Sequence, residues 1–257
     1  AVSVFDGNVG DSTTLLPQVR RLREDFHVQD VVLVGDRGMI SQRAIDELGP
    51  MDGVQWITAL KSVQIRTLVE GGALQLGLFD DRDLFELTSP DYPGERLIAC
   101  RNRELAKLRA HKRQDLLAAT IGELEKIQRR VQAGRLRGRV AIGLRVGRVV
   151  NKYKVAKHFA LTITDTDFAF AVREAQVALE AQLDGIYLIR TNVPRAHMTA
   201  DDAVRNYKAL SQVERAFRSL KTIDLHVRPV HHRLADRVRS HIFLCMLAYY
   251  VEWHMRE

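Results

Sequence analysis

The sequence predicts an α/β protein whose core is split by an inserted segment. Three observations carry this. Val31-Val32-Leu33-Val34 is an unbroken, β-branched run closed by Gly35, the pattern of a strand buried on both faces in a parallel sheet. Val54 to Leu60 repeats the pattern after a helical stretch, so strands and helices alternate. From Lys61 the alternation stops, and it resumes only near Gly185. The two halves of the core are therefore residues 1–61 and 186–257, and residues 62–185 form the insertion.

The elements follow in order. Residues 1–5 alternate like the end of a strand, and Asp6-Gly7-Asn8 is a turn signal. Asp11 or Ser12 caps a helix reaching about Phe26, with Leu15, Val19 and Leu22 inward and Pro17 within its first turns. Asp36 then stands at the carboxyl end of the Val31 strand, where α/β folds place their chemistry. Two readings stand for it: a metal ligand, or the cap of the turn Arg37-Gly38-Met39. Ser41 caps a helix that stops at Gly49.

In the insertion, Leu74 to Leu87 and Arg96 to Cys100 read as strands of a separate, antiparallel sheet. A long helix runs from about Asn102 to Ala133. Leu117, Ile121, Leu124, Gln128 and Val131 set its period, and Gly134 stops it. Strands return at His158–Thr164, Phe168–Val172 and Gly185–Thr191.

Thr199 caps the next helix, with Asp202 three residues on. At about 100° per residue, Tyr207, Leu210, Glu214, Arg218 and Lys221 fall on one narrow face. Val213, Ala216, Phe217 and Leu220 fall beside them and should bury. A carboxylate among cations suits a site where it binds a divalent metal while the cations hold phosphate. The other reading is a set of solvated surface pairs one turn apart. Leu225 to His232 is extended and basic, and an amphipathic helix spans about Ala235 to Trp253.

Charge narrows the partner. There are 39 basic against 32 acidic residues, a net +7, which favours a polyanion and nucleic acid first. Ten Lys or Arg lie between Arg129 and Lys157 with no Asp or Glu. This block reads as a phosphate-binding surface; a solvated rim, or an arm answering an acidic patch on the same protein, are the alternatives. Cys100 and Cys245 are far apart, give no disulfide framework and suit a reducing cytosol. His231, His232, His241 and Cys245 lack the spacings of a zinc site. No apolar run is long enough to span a membrane.

The set Phe5-Asp6-Gly7-Asn8, Val34-Gly35-Asp36-Arg37-Gly38-Met39, Tyr207 to Lys221, Arg228-Pro229-Val230 and His241 resembles the DDE-type transposases of bacterial insertion sequences. The resemblance is to the branch marked by Tyr-x2-Arg-x3-Glu-x6-Lys, and it extends over almost the whole chain. Tyr207, Glu214 and Lys221 match the signature; its Arg is Leu210 here, and Arg218 on the same face can partly replace it.

The resemblance implies an RNase H-like core, a mixed sheet with flanking helices, interrupted by a largely β insertion with one long helix. It implies that two aspartates and one glutamate hold two divalent ions, Mg²⁺ or Mn²⁺. Asp36 matches the second aspartate and Glu214 the glutamate. Tyr207 and Lys221 would grip phosphate, and Arg218 and Arg228 would touch DNA. The implied partners are double-stranded DNA, as terminal inverted repeats and target, and a second copy of the chain on that DNA. The implied setting is the bacterial cytoplasm at the nucleoid, with no membrane. The family's first aspartate lies on a strand upstream of Phe5, so the resemblance implies an N-terminally truncated chain, by itself inactive or nearly so. A catalytically dead, DNA-binding remnant is the alternative it leaves.

Overall fold

The computed structural model describes residues 3–219 and 227–256. It divides into two compact units: residues 1–73, 84–99 and 188–257 form the first, and residues 74–83 and 100–187 the second.

The first unit holds the predicted alternation. Helix α1 (Asp11–Glu24) precedes β1 (Val31–Val34), α2 (Gln42–Leu48), β2 (Val54–Ala59) and α3 (Ser62–Glu70). β1 and β2 are parallel, in register from Val31↔Val54 to Val34↔Ile57. The first unit's core packs Val19, Ile40, Ile45, Leu48, Val54 and Trp56 together. Ser41 caps α2 as expected, its hydroxyl accepting from Ala44 N at 3.3 Å. The cap of α1 is Gly10, not Asp11 or Ser12. Residues 3–6 are in no strand.

The five-stranded sheet runs β1-β2-β7-β4-β3, with β3 at Leu84–Leu87, β4 at Arg96–Arg101 and β7 at Ile186–Thr191. β7 is antiparallel to β2, from Ile57↔Thr191 to Ala59↔Ile189, so the sheet is mixed. This corrects one expectation: β3 and β4 belong to the sheet of β1 and β2, not to a separate one. Only Leu84–Leu87 of the Leu74–Leu87 stretch is a strand, because Leu78–Asp81 turns as a short helix, α4.

Two arginines tie the sheet's connections down. Arg190 is buried on β7, forms a two-pronged ion pair with Glu95, donates to Gln42 Oε1 at 2.8 Å and lies 4.8 Å from the Tyr92 ring centre. Arg96 pairs with Glu86 and donates to the carbonyls of Val193 and Met198, each at 2.9 Å. Those carbonyls bracket the loop into α8 (Ala200–Lys208), so Arg96 fixes where that helix begins. Ala203 and Val204 bury its inner face.

The second unit is mainly helical, where a largely β insertion was expected. Helix α5 (Arg103–Gln132) is the predicted long helix, and Gly134 follows it at φ +69°. The basic block then forms a second helix, α6 (Arg139–Tyr153). A two-stranded antiparallel hairpin, β5 (Phe159–Ile163) and β6 (Phe168–Val172), covers one side. Helix α7 (Glu174–Gln182) follows. Leu124, Ile127, Val131, Ile142, Val146 and Phe168 are at the centre of this unit's core. Gly185, at φ +74°, brings the chain so close to Asn102 that a Cβ there would lie 2.3 Å from its carbonyl oxygen.

Candidate functional site

The site is assembled at the carboxyl end of β1. Gly35 N continues the β1 ladder to Ile57 O, and Gly35 has no room for a side chain, since a Cβ would lie 2.8 Å from Ile40 Cγ1. The chain therefore turns tightly, and Asp36 is exposed at the turn. Its Oδ1 accepts from Gly38 N and Met39 N, each at 2.8 Å. Asp36 thus caps the turn, one of its two sequence readings. A carboxylate has about four lone-pair sites, so the cap leaves oxygen capacity for a second partner.

Thr199 caps α8 as expected. Its hydroxyl accepts from Asp202 N at 3.2 Å and donates to Asp202 Oδ2 at 2.6 Å. The predicted single helix is two: α8 ends at Lys208, and α9 spans Leu210–Arg218 after a turn at Ala209. At the break Gln212 N bonds to Ala209 O, a tighter turn than the α-helix makes. The break separates Tyr207 from Glu214, yet both remain in one electrostatic neighbourhood.

Tyr207 reports that place. It is half-buried, and burial pushes its hydroxyl above the ordinary phenol range. The Asp36 carboxylate pushes it further up, Arg37 opposes, and the Glu214 carboxylate adds to the rise. One hydroxyl is thus within electrostatic reach of the acid ending β1, the acid on α9 and the guanidinium beside Asp36. Asp36 and Glu214, far apart in sequence, both act electrostatically on the Tyr207 hydroxyl. Arg37 joins them; read as a turn residue in the sequence, it gave no signal beyond its place next to Asp36.

The remaining predicted residues are placed as follows. Arg218 is the last residue of α9, one turn beyond Glu214. Arg228 lines a groove of about 490 Å³ with Phe5, Phe217, Val230, Ile242 and Met246. Lys221 lies outside the described residues.

The apolar face of α9 does not bury as expected: Val213 is 49% and Phe217 53% exposed. Helix α10 (Ala235–Arg256) is not amphipathic either, since Phe243, Leu244, Leu247, Tyr250 and Val251 are exposed on the side away from half-buried Tyr249. Apolar residues surround its axis, the pattern of a helix made to be covered on more than one side.

Asp36 and Glu214 are hard oxygen donors, the type that Mg²⁺ and Mn²⁺ take. Among the described residues no group of three or more His, Cys, Asp or Glu is placed to hold a metal ion. A cation at this pair would therefore need phosphate and water oxygens to complete its shell. No described helix is long and apolar enough to cross a membrane.

A mixed sheet whose parallel strand ends in a carboxylate, with a second carboxylate, a phenol and a guanidinium in electrostatic reach, defines an α/β protein with a cluster of charged groups at the end of that strand. The chain belongs to the transposase DDE domain family, whose match covers residues 1–251. Neither the curated proteins nor the solved structures give a significant match. Family membership makes this a transposase domain, a class that acts on DNA and ordinarily works with divalent metal ions. The mixed five-stranded sheet with flanking helices is compatible with the RNase H-like fold.

Proposed function

We propose that the chain carries out hydrolytic nicking at the ends of an insertion sequence, followed by transfer of the freed 3′ end into target DNA. The observation that carries this reading is the convergence of Asp36, Glu214 and Arg37 on the Tyr207 hydroxyl. In the first step a water oxygen bonds to phosphorus and gives up a proton, the bond between phosphorus and the 3′ oxygen breaks, and that oxygen takes up a proton to leave as the 3′ hydroxyl. In the second the 3′ hydroxyl attacks a target phosphodiester, one P–O bond replacing another.

Asp36 and Glu214 would hold Mg²⁺ or Mn²⁺. When bound, such ions make water a better nucleophile and neutralise the leaving oxygen. The protein's own groups orient the phosphate. Tyr207, kept protonated at neutral pH, donates a hydrogen bond to a phosphate oxygen. Arg37 supplies a fixed positive charge beside Asp36, which offsets the absence of a guanidinium at Leu210. Arg218, Lys221 and Arg228 extend the grip along the backbone. Joining two ends calls for two such sites, hence a homodimer on DNA.

Nicking of a supercoiled plasmid in Mg²⁺ tests this. Wild type should nick, while Glu214→Gln and Asp36→Asn should bind the plasmid without nicking it. Nicking that survives both substitutions would sink the reading. A second reading is a DNA-binding protein without cleavage. It is favoured by the lack, among the described residues, of a third acid beside Asp36 and Glu214. Binding by wild type with no nicking in Mg²⁺ or Mn²⁺ would select it.

A further inference from the structure

The basic block at Arg129–Lys157 is organised by the second unit in a way its sequence does not announce. On α6 the buried positions are Ile142, Val146 and Val150. At about 100° per residue, Arg145, Arg148 and Lys152 fall within about 60° of arc, whose centre is about 130° from the centre of that buried stripe. All three are exposed. On α5 the buried positions are Thr120, Leu124, Ile127 and Val131, and Lys126 and Arg130 share one flank of that line with Glu123.

The two helices pack through Leu124, Ile127, Val131, Ile142 and Val146, and a short turn makes them run in opposite directions. Their basic flanks lie on the same side. Glu123 on the α5 flank feels the charge of Lys152 on the α6 flank, after the stronger influence of its bonded partner Lys126.

The cations of this flank differ from others in the unit. Arg103 is paired with Asp83, Arg113 with Asp184, and Lys157 with Glu180. Arg130, Arg145 and Arg148 have no acidic partner among the described residues. Glu123 is the one acid on the flank, and Lys126 pairs with it at 2.6 Å. The charge of Arg130, Arg145 and Arg148 is thus neither folded into the core nor answered by an ion pair among the described residues.

We propose that this flank, with Arg130, Arg145, Arg148 and Lys152 as its contacts, docks the phosphate backbone of duplex DNA. The proposal rests on the reading of DNA as substrate and adds a second contact surface, outside the Asp36–Glu214 site. Arg145 to Lys152 spans about 10 Å of helix axis, comparable with about three phosphates along one strand. A single-strand binder would present aromatic rings for base stacking. The one aromatic of α6, Tyr153, is packed against the core instead. A membrane-surface helix would offer a continuous apolar face to lipid, whereas Ile142, Val146 and Val150 are buried and the exposed apolar residues of α6, Val140 and Leu144, are one turn apart beside the arginines.

The test uses the full chain and a labelled duplex of about thirty base pairs in buffer free of divalent ions, followed by anisotropy across a salt series. Arg145→Gln/Arg148→Gln should lower affinity roughly 10-fold at 0.1 M salt and flatten the log–log salt slope by about 1.8, two phosphate contacts at about 0.9 each. A double substitution of exposed arginines in the first unit, Arg20→Gln/Arg43→Gln, should change the slope by less than half of that. Circular dichroism should be unchanged, since both substituted side chains of α6 are exposed.

If wild type binds duplex and the α6 variant matches the control, this surface is refuted and the DNA-substrate reading survives. If wild type binds no duplex, both fall. Equal loss of binding to duplex and to poly-glutamate of matched charge would assign the flank to acidic polymers in general and overturn the DNA proposal.

Discussion

The Tyr207 hydroxyl is pushed upward first by burial and then by the carboxylates of Asp36 and Glu214. It therefore stays protonated through neutral pH and, on the proposed reading, would donate to phosphate. Tyr207→Phe should lower nicking by roughly 10- to 100-fold, the loss of one hydrogen bond to a charged group. The profile between about pH 6 and pH 9 should keep its shape, because a phenol raised above its ordinary range of about 10 does not titrate there. A profile that changes shape on this substitution would show the phenol acting as a base. Arg37→Ala should cost a similar factor in nicking, with Arg37→Lys recovering part of it, since a point charge replaces the fork without its geometry. Asp36 and Glu214 stood out as candidates because a carboxylate at a strand's carboxyl end, and one among cations on a helix, are local patterns. Arg37 did not. Its influence on Tyr207 arises only once the chain is folded, which no local spacing encodes.

At the scale of elements, α8 carries Tyr207 and is held at its start by Thr199. Thr199→Ala should destabilise the fold by about 1 kcal/mol in urea unfolding, the ordinary worth of an N-cap. In the second unit, Glu180 on α7 accepts from Lys157 at 3.0 Å and meets His158 Nε2 at 2.5 Å. Burial alone would raise the Glu180 carboxyl, but its bonds to Lys157 and His158 outweigh burial and hold it below the ordinary glutamate range. Because the folded-state value is depressed, this stabilisation is complete above the ordinary range of about 4.3 and is lost as pH falls through and below it. Thermal unfolding between about pH 6 and pH 3 should thus fall more steeply for wild type than for Glu180→Gln. The long helix α5, the β5–β6 hairpin and β7 were legible because period and turn residues agreed over each. Helix α6 was not: Val, Ile and Gly interleaved with Arg read as strand or loop, and only the spacing Ile142, Val146, Val150 betrays the helix. The exposure of α9 and α10 was equally hidden, since an apolar face announces that it wants cover without saying what supplies it.

Over the whole molecule, the net charge of +7 and the acidic site make opposite demands on DNA. The cations attract the backbone at any metal concentration. On the proposed reading, Asp36 and Glu214 would repel the phosphate nearest them until a divalent cation neutralised the pair. Removing metal should therefore separate two activities. With a chelator present, nicking should stop while affinity for a non-specific duplex changes by no more than a few fold. Under the same conditions Glu214→Gln should bind duplex as tightly as wild type or more tightly, because one repelling charge is gone. Restoring Mg²⁺ should return nicking to wild type alone. Raising salt from about 50 mM to about 200 mM should weaken binding of both proteins with nearly the same slope, since the counterions released belong to Lys and Arg contacts, not to the acidic pair. A slope that differs between them by a full phosphate contact would mean that Glu214 governs how the backbone is gripped. That would move it out of the metal-binding role.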